Sequence, residues 1–150
     1  MCAPQVIPAV HRTSEEEAVY ESLILLDPET QITTDQLAAE LQRFYKDKPG
    51  SPAELAVAGE GLSLKWPGYT LEIGRSALPH VLEESVELAA EFGEERPDQA
   101  RIAQCHTRFE VSGDDDPDME HFNDYLFVGE AVLRLGRAYR FDQAAGEFLE

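Results

Sequence analysis

Lysine is nearly missing from this chain. It occurs at positions 46, 48 and 65 only, beside nine arginines and against 30 acidic residues, for a formal net charge of −18. Binding to a phosphate backbone draws on clustered Lys and Arg that release counterions, so direct nucleic-acid binding is not expected. Cysteine is equally scarce. Cys2 and Cys105 are the only two, and Cys2 falls in a stretch that reads as a tail. A disulfide framework is therefore not expected, and a reducing, cytoplasmic setting is. Zinc spacing is absent, as is a CxxC pair. No apolar run approaches the roughly 18 residues of a membrane helix. The start, MCAPQVIPAVHRTSEEE, lacks the basic end and uninterrupted apolar core of a secretory signal. GxGxxG, P-loop, GxSxG and HExxH patterns are also missing, so no motif calls for a cofactor or a metal.

What the chain has in excess is carboxylate. The balance favours cationic partners, and it would also suit a protein that imitates nucleic acid to block a basic groove. A high-salt habitat or a GC-rich genome gives a similar balance without any functional cause. Net charge bears on solubility and association rather than on fold. At 150 residues, with 43% hydrophobic and 28% charged, the composition is that of one soluble globular domain.

Residues 1–17 read as an N-terminal tail and 18–150 as a single domain. Ala18–Asp27 is rich in strand formers and ends at the turn signal Asp27-Pro28. In ITTDQL, Thr33 with Gln36 three residues on forms a capping box, flanked by Ile32 and Leu37. That helix runs to about Lys46. From Ala53 to Gly74 the period becomes two: Leu55 and Val57, then Leu62, Leu64 and Trp66, then Tyr69, Leu71 and Ile73, separated by Gly59-Glu60-Gly61 and Pro67-Gly68. This is a three-strand meander. SALPHVLEESVELAAEFG is a second helix, with Leu78, Val81, Leu82, Ser85, Ala89 and Phe92 on its inner side. An alternating strand ends ARIAQCHTRFEVSG, a further helix follows, and AYRFDQAAGEFLE closes the chain as a short piece. The order β-α-β-β-β-α-β-α predicts an α+β two-layer sandwich. Its sheet is mainly antiparallel with helices on one face, and the ferredoxin-like arrangement with additions is the expectation this order raises.

The stretch GDDDPDMEHFNDY, residues 113–125, looks most like a site. Read as an EF-hand loop from Asp114, it places Asp114, Asp116 and Asp118 at positions 1, 3 and 5. It then fails at position 6, where Met119 stands for Gly, and at position 12, where Tyr125 stands for Glu. Read as a helix start, Asp116 is the N-cap, Pro117 the first helical residue, and Asp118 and Glu120 complement the dipole. The helix reading accounts for more of the residues. Asp118 and His121, three apart, lack a matching acid-and-His pair elsewhere.

If helices cover one face of the sheet, the other carries Ser63, Lys65, Thr70, Glu72, Gln104, His106, Arg108 and Glu110. His106 is the best single candidate for acid/base work, with Arg108 and Glu110 along the same strand face. The same face could be simply wet, or could pair with a second copy of the chain. Cys105 points the opposite way from His106, which excludes a dyad and makes it a small core residue. His80 begins the second helix and reads as a surface or capping residue. Glu83, Glu87 and Glu91 repeat every four residues along that helix, a ridge of like charge that suits a basic partner or a solvated face.

Two functions follow. The leading one is an acidic, cytoplasmic, non-enzymatic interaction module that binds a basic protein through Glu83, Glu87 and Glu91, as an immunity-type inhibitor or an adaptor does. The other is a small-molecule-binding or catalytic domain that uses His106, Arg108 and Glu110 on the open sheet face.

Overall fold

The computed structural model describes residues 20–149, so the tail expected at residues 1–17 lies outside the described residues. The chain runs β1 (Glu21–Leu26), α1 (Thr34–Tyr45), β2 (Glu54–Ala58), β3 (Gly61–Trp66), β4 (Tyr69–Ser76), α2 (Pro79–Phe92), a short α3 (Gln99–Ile102), β5 (Thr107–Gly113), α4 (Phe122–Leu135), β6 (Ala138–Asp142) and β7 (Glu147–Phe148). The strands form one sheet in the order β2-β3-β4-β5-β1-β6-β7. All six pairings are antiparallel. The fold is therefore α+β, as expected. The ferredoxin-like order is not what these pairings give, because a split βαβ unit sets strands parallel.

Local chemistry accounts for most boundaries. At the start of α1 the Thr33 hydroxyl accepts from the Gln36 N–H while the Gln36 side chain accepts from the Thr33 N–H, the reciprocal capping box. Gly59 and Gly68 take positive φ of 61° and 77° in the turns of the meander, a conformation open to glycine at little cost. The closing piece is a hairpin. Tyr139 and Phe141 alternate with Arg140, and β6 pairs along β1 on the side that β5 leaves free.

β1 is apolar on both faces, and this organises the layers. Ile24 and Leu26 enter a core with Leu37 and Leu41 of α1, Leu64 and Leu71 of the meander, Phe109 of β5, and Val128 and Val132 of α4. Leu23 and Leu25 enter a second core with Ala89 of α2, Ile102 of α3, Cys105, and Tyr139, Phe141 and Phe148 of the hairpin. "Helices on one face" thus describes α1 and α4. It needs amending for α2 and α3, which cover the β1-β6-β7 end of the opposite face. A central strand with no polar side must be covered twice. The β2-β3-β4 end of that face stays uncovered, with Lys65 and Glu72 exposed.

Cys105 lies in the second core, fully buried, with its thiol directed at the Arg101 carbonyl. Burial pushes the thiol up to about 12, far from the range of a reactive thiolate. In a Cys2→Ser variant, a disulfide-exchange reagent should leave Cys105 untouched in the native state and label it at once in denaturant. Rapid labelling of the folded protein would contradict the burial.

Candidate functional site

The uncovered part of the sheet is not flat. A hollow of about 790 Å³ opens on it, lined by Glu72, Gly74, Arg108, Glu110, Leu23, Phe92 and Phe141 among others. Register explains why these residues meet. Gly61 faces Gly74 across β3 and β4, Gly74 faces Glu110 across β4 and β5, and Glu110 faces Leu23 across β5 and β1. The floor therefore runs from two residues without side chains to the covered apolar end of the sheet. Phe92, the last residue of α2, forms one wall and packs on Phe141 with ring centroids 4.9 Å apart.

Arg108 is the buried charge of this region, its side chain only 6% exposed. Its Nε donates to Glu110 Oε2 at 2.9 Å, and Nη1 lies 2.7 Å from Glu84 Oε1 of α2 without the alignment of a hydrogen bond. Arg108 and Glu110 thus meet directly, with no ligand needed between them, and Glu84 ties α2 to β5 through the same guanidinium. His106 does not join them. β5 begins at Thr107, so His106 and Gln104 fall in the exposed connection from α3, outside the lining of the hollow. Of the three residues His106, Arg108 and Glu110, the hollow brings together Arg108 and Glu110. The alternation read from Gln104 to Val111 holds only from Thr107 on: Thr107, Phe109 and Val111 face the α1–α4 core and Arg108 and Glu110 the other side, whereas Cys105, expected beside Phe109, lies in the second core because it precedes the strand.

The inner side of α2 is narrower than its sequence reading, which also placed Leu78, Leu82 and Phe92 there. Val81, Ser85 and Ala89 are its buried residues. Leu78, Leu82 and Val86 are exposed at 60%, 43% and 50%. At about 100° per residue, Leu82 and Val86 form one row next to the buried side, and Glu83, Glu87 and Glu91 form the next row round. All three glutamates are exposed, and among the described residues none has an ion-pair partner. The outer side of α2 is an apolar stripe bordered by carboxylates. Sequence reasoning had the acids but placed Leu78 and Leu82 inside.

The stretch at 113–125 is a cap of a different shape from the one expected. α4 starts at Phe122, not Pro117, and Met119 stands at φ 56° in the turn before it. Asp116 is nonetheless the residue that ends the loop: its carboxylate accepts from the Glu120 and His121 N–H groups at 3.0 and 2.8 Å and from the Tyr20 hydroxyl at 2.7 Å. Burial opposes its ionisation, yet these three donors outweigh it and hold the carboxyl below its usual range. Asp114 accepts from the Thr70 N–H, and Asp124 accepts from Tyr45 and contacts His121. The His121 ring stacks on Tyr69 at 4.2 Å. Among the described residues no three His, Cys, Asp or Glu side chains converge as metal ligands would.

Among the described residues no helix is long and apolar enough to cross a membrane. Compared with known proteins, the chain matches no family model, no curated protein and no solved structure.

Proposed function

We propose that this chain is a non-enzymatic interaction module that docks on a basic protein partner through the outer side of α2, in the manner of an immunity-type inhibitor or an adaptor. One observation carries the reading: Leu78, Leu82 and Val86 stand exposed in a row beside the unpaired Glu83, Glu87 and Glu91. Apolar residues flanked by charge of one sign match the anatomy of an interface, an apolar centre with a polar rim. The acids do nothing for the helix itself. Like charges four apart cost a few tenths of a kcal/mol per pair, and Glu91 sits toward the negative end of the dipole. Burying a Leu or Val against a partner contributes about 1.5–3 kcal/mol each, while the carboxylates choose a cationic partner and speed the encounter.

The test compares three immobilised proteins: the unaltered chain, the triple reversal Glu83→Lys, Glu87→Lys, Glu91→Lys, and the double variant Leu82→Ala, Val86→Ala. The unaltered chain should retain a basic protein that neither variant retains, and retention should weaken steeply with added salt. Both variants should unfold at or above the unaltered melting temperature, because neither stripe contributes to the core. Retention of the same partners by all three would overturn the proposal.

A further inference from the structure

We propose that the hollow on the uncovered sheet face binds a small organic cation, a protonated amine carried on a flat apolar body. Gly74 is the first reason. It lies within β4 with no positive φ, and a Cβ added there would meet nothing within 4 Å. Neither turn geometry nor crowding requires glycine at this point, and glycine weakens a strand interior. What its missing side chain leaves is space, directly beside Glu110 and opposite Gly61. A strand glycine of this kind marks the close approach of another molecule to the backbone.

The lining states what kind of molecule. Glu72 and Glu110 line the hollow, and Glu84 stands beside Arg108, so three carboxylates meet the single guanidinium of Arg108. That guanidinium is already held by Glu110 and Glu84, at 2.9 and 2.7 Å. The hollow therefore repels anions and attracts a positive charge. Leu23, directly beside Glu110, continues the lining with Phe141 and Phe92. Phe92 is 38% exposed, so its ring is a platform on which an aromatic body stacks or an ammonium rests. A volume of about 790 Å³ is in the range of small-molecule sites.

The experiment titrates the folded protein with 2-phenylethylammonium, 2-phenylethanol and 3-phenylpropionate, followed by backbone NMR shifts and calorimetry. The ammonium should bind at millimolar concentration or below, moving the resonances of Gly74, Ser112 and Phe141, while the alcohol binds more weakly and the carboxylate not at all. Gly74→Val should abolish binding while keeping or raising the melting temperature. Glu72→Gln, on an exposed side chain whose one side-chain hydrogen bond comes from Ser63, should weaken the ammonium about threefold to tenfold without affecting the fold. No ammonium binding, equal binding of the alcohol, or unchanged affinity in both variants would each overturn the proposal.

Discussion

Replacing Asp27 by Ala should lower the unfolding free energy by about 2–4 kcal/mol, read from urea or thermal unfolding. Asp27 directly follows β1 and is 3% exposed. Its two oxygens take Arg101 Nε at 2.8 Å and Nη2 at 2.5 Å, the Tyr139 hydroxyl at 2.6 Å and the Glu29 N–H at 3.1 Å. One carboxylate thus joins β1, α3 and β6. Removing it leaves a guanidinium, a buried hydroxyl and an amide without their acceptor. The effect stays below that of a fully buried ion pair because Arg101 is 36% exposed and regains water. Asp27→Asn should cost less than Ala, since an amide oxygen still accepts from Tyr139.

The same site makes the protein labile to acid. The Arg101 guanidinium, foremost among several hydrogen-bond donors, holds the Asp27 carboxyl far below its ordinary range. A carboxyl whose folded pKa is depressed contributes stability that is fully present above its unfolded value of about 4 and is lost as pH falls through the folded value. Stability should therefore decline below about pH 4, and more gently in Asp27→Asn than in the unaltered chain. A parallel decline in both would remove Asp27 from the account.

Asp116→Ala is the second large effect, a loss of about 2–3 kcal/mol. The Tyr20 hydroxyl would be left unpaired in a buried position, and the part-buried Glu120 and His121 N–H groups would lose their acceptor. Asp118→Ala, two residues on and exposed, should change stability by less than about 0.5 kcal/mol. A metal site would make the two substitutions alike and would make both sensitive to added calcium. A capped turn makes them different and indifferent to calcium. Equal losses at Asp116 and Asp118 would return the stretch to the metal reading.

Several features were legible because they are local. The capping box at Thr33 and Gln36, the meander with glycines at 59 and 68, and the alternation from Thr107 to Val111 each depend on neighbours within a few residues. α2 was harder. Leu78, Leu82 and Val86 form one row and Val81, Ser85 and Ala89 the adjacent one, so both could be taken as the inner side. The sheet chose Val81, Ser85 and Ala89, since the helix lies against β5 and its Ala89 joins the second core with Leu23 and Tyr139. The hairpin β6–β7 reads in the sequence only as a short closing piece, although Tyr139, Arg140 and Phe141 alternate there, and cover is expected on one face although β1 is apolar on both. His106 fell outside the site because β5 begins one residue later, which no local pattern announces.

Composition and periodicity were enough to establish an acidic α+β chain with its strands and helices mostly in place, because those signals are written in residue types and short-range spacing. The hollow and the outward row of α2 came into being only when distant segments met. Gly61, Gly74 and Glu110 line one floor through the register of three strands, and an inward or outward side of a helix has no meaning until a sheet lies beneath it.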